Sequence, residues 1–204
     1  MSRETLYYWQ VAGTLTTLIP LVMGFYVFKQ SLSPIRIFLG YLIIGFMTDL
    51  TGWYLYVTQN GEANMYVRHA YDLFEAVFLF WFIGYTSTSS HLKKFSRWAL
   101  VPLFIFWATR FWFSSLAVFK TGTQVMEAFG LAFCILKLLE SDAFATQRPI
   151  FWLWLGVFFY CFGTIFLMGV LDSRMPGVWY AHAIINMLAY LIYTVGFWRV
   201  RQQV

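Results

Sequence analysis

Apolar residues gather along the chain in seven runs, at positions 5–28, 33–57, 66–86, 97–118, 121–139, 149–171 and 178–198. A helix rising about 1.5 Å per residue needs about 20 residues to cross the hydrocarbon core of a bilayer. Each run therefore predicts one membrane-spanning helix. The segments between them are short and carry turn residues, as in Ser31-Leu32-Ser33-Pro34, Gln59-Asn60-Gly61 and Met175-Pro176-Gly177. The expected fold is an all-α membrane protein, a seven-transmembrane-helix bundle forming one domain over residues 1–204. These runs leave little of the 204 residues for a soluble domain.

Polar residues interrupt the runs at helical spacing, so each predicted span has a polar stripe as well as an apolar face. Asp49 in the second run shares a stripe with Gly45 and Gly52, and Tyr56 follows one turn on. Arg68, Asp72 and Glu75 in the third run fall within about 60° of one another at 100° per residue, with His69 beside them. The fourth run carries Arg110 and Ser114. Thr123, Glu127, Gly130 and Cys134 line one side of the fifth, and His182, Asn186, Tyr190 and Tyr193 one side of the seventh. A weaker row in the first, Gln10, Thr14 and Thr17, is followed by Pro20, which predicts a kink and a freed carbonyl.

Composition fits this reading: 60% of residues are hydrophobic and 11% charged, against about 25% charged in soluble domains. The distribution of the 14 Lys and Arg residues sets the expected orientation. Lys29, Arg36, Lys93, Lys94, Arg97, Lys137, Arg148, Arg199 and Arg201 fall on one side, and Arg3, Arg68, Arg110, Lys120 and Arg174 on the other. Basic residues stay on the cytoplasmic side, so the amino terminus is expected outside and the carboxyl terminus in the cytoplasm. The net charge of +5 then reflects topology and contact with the anionic lipid bilayer, and nucleic acid is not an expected partner. The aromatic 23% of the chain includes belt-forming residues at both ends of the runs, among them Trp9, Trp53 and Tyr180 outside and Tyr85, Trp98 and Trp198 inside. The amino terminus lacks the short apolar core and small-residue site of a cleaved leader. Cys134 and Cys161 both fall in mid-span, as packing residues.

An offset of 113 places the second run on the sixth and the third on the seventh, bringing Leu42 onto Leu155, Thr51 onto Thr164 and His69-Ala70 onto His182-Ala183. This predicts a parallel 3+1+3 helix repeat. The layout resembles that of SWEET-type sugar transporters, without their signature residues.

With this topology Asp49, Asp72, Glu75, Arg110, Glu127, His182 and Asn186 all project into the outer half of the membrane, with Tyr190 one turn below Asn186. Charged groups at such depth are costly and mark a site, a pathway or an internal pair. The four carboxylates Asp49, Asp72, Glu75 and Glu127 outnumber the two guanidinium groups of Arg68 and Arg110, so protonation, a cation or water must complete the set. The expected site is a polar pocket open to the non-cytoplasmic side, formed by Asp49, Asp72, Glu75, Arg110, Glu127, His182, Asn186 and Tyr190. Glu75 and Glu127 are expected to face each other across it.

The first functional expectation is a sensor or receptor-like protein that takes a small amphipathic or cationic ligand and acts through a separate signalling partner. Trp53, Tyr56, Tyr71, Trp107, Trp112 and Tyr190 are the expected aromatic walls. The second is a transporter of protons, cations or a small solute. The third is an intramembrane metal-dependent hydrolase, for which His69, His182 and Asp72, or another of the carboxylates, would be the ligands. Ceramidases and adiponectin-type receptors offer the comparison, but the chain has three histidines and no His-x-x-x-His pair. A wholly structural set of ion pairs is the bland alternative. No P-loop, dinucleotide fingerprint, nucleophile elbow or Cys-x-x-Cys is present, so no cofactor is expected. The last run has no lysine for a retinal Schiff base.

Overall fold

A computed structural model describes residues 3–113, 128, 130–132, 135, 146–170 and 176–203, and every regular element among them is helical. They are α1 (Arg3–Thr16), α2 (Leu18–Tyr26), α3 (Ser33–Val57), α4 (Gly61–Thr86), α5 (Ser90–Phe113), α6 (Pro149–Val170) and α7 (Pro176–Gln202). A 3-10 turn, Phe28–Gln30, follows α2. The first apolar run is thus split. Pro20 has no N–H to bond the Thr16 carbonyl and its ring crowds that position, so the helix breaks at Thr17, whose N–H bonds back to the Thr14 carbonyl at 3.0 Å. The gap is one residue long: Thr17 keeps helical dihedrals, φ −62° and ψ −25°, and its carbonyl accepts the Leu21 N–H at 3.2 Å.

The second run matches α3 residue for residue. In α4 the helix begins five residues before the predicted start, because Asn60 caps it by accepting the Ala63 N–H at 3.2 Å. α5 and α7 likewise extend beyond their apolar runs into polar residues, since a membrane helix need not stop where the hydrocarbon stops. Of the fifth run only positions 128, 130–132 and 135 are described, and they are helical.

Three of these helices are long and apolar enough to cross a membrane: α3, the Pro149–Leu167 part of α6 and the Tyr180–Gln202 part of α7. Seven clear spans are not found among the described residues. α4 carries Glu62, Arg68, Asp72 and Glu75, α5 carries Lys93, Lys94 and Arg97, and the first run is interrupted. The exposed faces support membrane association. Ile184, Leu188, Leu191, Val195 and Trp198 form one exposed apolar stripe along α7, and Phe159, Phe162 and Phe166 another along α6. Contiguous apolar surface of this kind needs a nonaqueous cover.

Basic residues collect at one end of the bundle. There the Arg201 guanidinium lies over Tyr26 and Trp198, 5.4 and 5.2 Å from the ring centroids. The Gln203 side-chain amide donates to the Gln147 carbonyl at 2.9 Å. Lys29, Arg36, the start of α5 with Lys93 and Lys94, and Arg148 complete this end, all exposed.

α6 and α7 form the most intimate pair, and glycines permit it. A Cβ on Gly156 would clash with the edge of the Tyr193 ring and stand 3.1 Å from the Ala189 carbonyl oxygen, while Gly163 receives Ile185. By contrast, a Cβ on Gly40 would meet nothing within 4 Å. Gly156→Ala is therefore expected to destabilise by about 1–3 kcal/mol through overpacking, and Gly40→Ala to have little effect. Thermal unfolding of both variants in one detergent checks this.

Candidate functional site

A cavity of about 270 Å³ opens between the helices. α1 and the break after it contribute Gly13, Thr14 and Thr17, and α3 contributes Tyr41, Gly45, Phe46, Asp49 and Trp53. Arg68, Tyr71, Asp72 and Glu75 come from α4, Tyr160, Cys161 and Thr164 from α6, and His182, Asn186, Tyr190 and Tyr193 from α7. Ala128 and Leu131 of the fifth run also reach it. Six of the eight residues singled out from sequence, Asp49, Asp72, Glu75, His182, Asn186 and Tyr190, therefore border one space. Arg110 belongs to α5 but its side chain lies outside the described residues, as does Glu127 entirely, so the expected pairing of Glu75 with Glu127 lies outside them too.

The polar wall is organised around Glu75. The Tyr41 hydroxyl, itself buried, donates to Glu75 Oε1 at 2.5 Å, and the Tyr71 hydroxyl reaches the same oxygen at 3.5 Å. Asp49 stands at the exposed side of the cavity, where the Thr14 hydroxyl donates to its Oδ2 at 3.4 Å. Asp49, Arg68, Asp72 and Glu75 thus share this wall, one guanidinium among three carboxylates. His69 Nδ1 lies 4.0 Å from Asp72 Oδ2 one turn along α4, and the Trp107 indole N–H donates to the His69 carbonyl at 3.3 Å. On the opposite side the rings of Tyr160 and His182 meet edge to face, 6.0 Å apart.

Gly45 makes the Glu75 cluster possible. A Cβ there would stand 2.8 Å from the Tyr71 hydroxyl, so only glycine lets that phenol lie across α3 on its way to the carboxylate. Gly45→Ala is expected to push Tyr71 off Glu75, and its cost in stability should shrink when Tyr71 is already Phe. A double-mutant cycle on thermal stability should return a coupling of about 1 kcal/mol, the worth of one hydrogen bond.

Aromatic rings close the cavity toward the basic end of the bundle. Phe38 packs on Tyr193, Tyr41 and Phe82 with centroids 5.0, 5.3 and 5.7 Å away, and Phe82 packs on Trp154 at 5.1 Å. Tyr41 stacks on Phe78 at 4.7 Å, and the Trp154 indole donates to the Thr86 hydroxyl at 3.2 Å. This packing forms a floor beneath the mixed polar and aromatic wall of the cavity.

Sequence reasoning missed Tyr41, although it extends the stripe of Asp49 and Gly45 one further turn inward. It also missed Thr164 and Tyr160, whose helix shows no charge to mark a polar side. Of the expected aromatic walls, Trp53, Tyr71 and Tyr190 line the cavity. Tyr56 does not: it is 57% exposed, because one turn past Gly52 the stripe has reached the end of α3. Trp107 bonds to the α4 backbone rather than lining the space, and the Trp112 side chain lies outside the described residues. Among the described residues no group of three or more His, Cys, Asp and Glu could hold a metal ion. His69, Asp72 and His182 form no such group.

No protein-family model, no curated protein and no solved structure matches the chain.

Proposed function

We propose that the chain is a seven-span membrane protein whose polar pocket opens to the non-cytoplasmic side, and that it senses a small ligand there and acts through a separate partner. The broken α1–α2 segment counts as one span and the fifth run as another. The basic end of the bundle is the cytoplasmic one by the retention of Lys and Arg, which puts the amino terminus outside and the carboxyl terminus inside. α3–α4 and α6–α7 are taken as the matching hairpins of a parallel repeat, since an offset of 113 superposes their sequence positions.

The observation that carries the proposal is the cavity itself. Asp49, Asp72, Glu75, His182, Asn186 and Tyr190 come from three separate helices and border one volume, where a purely structural role would call for close packing around pairs. The aromatic packing at its inner end, among the described residues, favours binding over passage.

A fragment screen by thermal shift on the purified full chain tests the binding reading. Thr48 lines the cavity and is partly exposed, so Thr48→Trp should fill it. Compounds that stabilise the native protein and lose their effect in Thr48→Trp are the expected result. A screen that yields none contradicts the proposal.

A further inference from the structure

Away from the cavity, α2 packs beside α7 and each presents an exposed apolar stripe, Ile19, Val22 and Tyr26 on one and Leu191, Val195 and Trp198 on the other. The residues recur at three- and four-residue spacing, so each stripe runs along its helix. Both stripes end at one point. There the Arg201 guanidinium lies 5.4 Å from the Tyr26 ring centroid and 5.2 Å from that of Trp198, so one cation bridges the inner ends of the two rows. Gly24 permits this closeness: a Cβ there would stand 2.5 Å from Leu39 Cδ1 and 3.2 Å from the Phe197 ring. A larger residue would push α2 away from α7.

Charge at the end of this seam is of one sign. Lys29 follows Tyr26 by three residues and is exposed, and its carbonyl accepts from Arg36 Nη2 at 3.2 Å, which brings a third cation to the end of α2. No carboxylate among the described residues shares this end. Glu4 and Glu62 fall in the first turns of α1 and α4, at the opposite end, and Asp49, Asp72 and Glu75 border the cavity. Arg201 is exposed and meets aromatic rings, so its N–H donors are free to take an acceptor.

Two independent features therefore meet: an apolar seam that needs a nonaqueous cover, and a positive cluster at its end, where Tyr and Trp mark the headgroup level. An acidic peptide or free phosphate matches the charge and not the seam. A phospholipid matches both. Acyl chains cover the seam whatever head they carry, since lipid tails do not discriminate between apolar surfaces. The cations decide which lipid stays: a guanidinium takes a phosphate through paired N–H groups, and no described carboxylate is there to hold the ammonium of a zwitterionic head.

We infer that the seam between α2 and α7 binds an anionic phospholipid, its phosphate at Arg201 and Lys29 and an acyl chain along the two stripes. The inference rests on these stripes facing lipid and is independent of the cavity.

The test uses the purified full chain in detergent and counts bound lipid by native mass spectrometry. The probes are phosphatidylglycerol, phosphatidylcholine with the same acyl chains, and glycerophosphate, the head without chains. Phosphatidylglycerol should be retained about tenfold more strongly than phosphatidylcholine, the worth of one charge-assisted hydrogen bond, and glycerophosphate at equal concentration should not displace it. Arg201→Gln should remove most of that preference and Lys29→Gln part of it. Lys94→Gln deletes the same charge from the start of α5 and should leave the preference intact. Equal retention of the two lipids overturns the inference, as does displacement by glycerophosphate or a loss in Lys94→Gln as large as in Arg201→Gln. A second copy of the chain in place of the lipid makes the seam a dimer interface and overturns it too. A chain that retains neither lipid overturns both the inference and the lipid-facing placement of the stripes. Thr48-dependent fragments are read separately, so the pocket and the lipid site stand or fall apart.

Discussion

Glu75→Ala is expected to lower the thermal stability of the protein substantially, and Glu75→Gln far less. The Tyr41 ring is buried and its hydroxyl donates to Glu75 Oε1. Truncation to Ala leaves that hydroxyl, and the more distant one of Tyr71, without an acceptor at about 1–3 kcal/mol each, and enlarges the void. Gln keeps a carbonyl oxygen at the same reach and conserves shape, but it removes the charge. The pair thus separates architecture from recognition: Ala should fail in both, and Gln should fold near normally while losing small-ligand binding. Melting curves and binding isotherms on the two purified variants read this directly. Equal melting temperatures for Ala and Gln would show that the Tyr41–Glu75 bond contributes nothing.

Phe82→Ala is expected to have the second large effect, because it removes the centre of the floor. Phe82 is fully buried and touches Phe38, Phe78 and Trp154. Phe→Ala changes at such positions cost about 3–5 kcal/mol in transfer and cavity terms. There is also a functional consequence. If the aromatic packing is what separates the cavity from the cytoplasmic side, proteoliposomes with the native chain should pass no small solute, whereas Phe82→Ala should leak. Phe82→Leu keeps most of the volume and should remain tight. Steady uptake by the native protein would favour transport over sensing.

Much of this arrangement is legible in the residues themselves, for an identifiable reason. Charged and amide side chains in an apolar run are rare enough that their spacing carries information, so Asp49, Asp72, Glu75, His182 and Asn186 point to a shared depth before any coordinates are known. Residues common in both lipid-facing and core positions give no such signal. Tyr41 and Tyr160 fall in this class: nothing in an aromatic-rich chain distinguishes a tyrosine bound to a carboxylate from one at the interface, and the same ambiguity covers Tyr56. Helix ends are the other feature that hydropathy leaves open. Hydropathy marks the hydrocarbon, while Asn60 and the polar last turn of α7 set where the helices themselves start and stop. Pro20 signals a distortion, but whether it bends or breaks the helix depends on whether neighbours can hold Thr17, which lies at the cavity wall packed near α7.

The central claim is that these groups share one aqueous pocket reached from outside the cell, and thiol labelling tests it most directly. In a background with Cys134→Ser and Cys161→Ser, single cysteines replace Asp49 and Asn186 in the cavity, and Lys94 at the basic end. Intact cells are treated with a membrane-impermeant maleimide before and after permeabilisation. Asp49→Cys and Asn186→Cys should react in intact cells, and Lys94→Cys only once the membrane is opened. The reverse order, or cavity positions that stay unreactive under both conditions, would contradict the account.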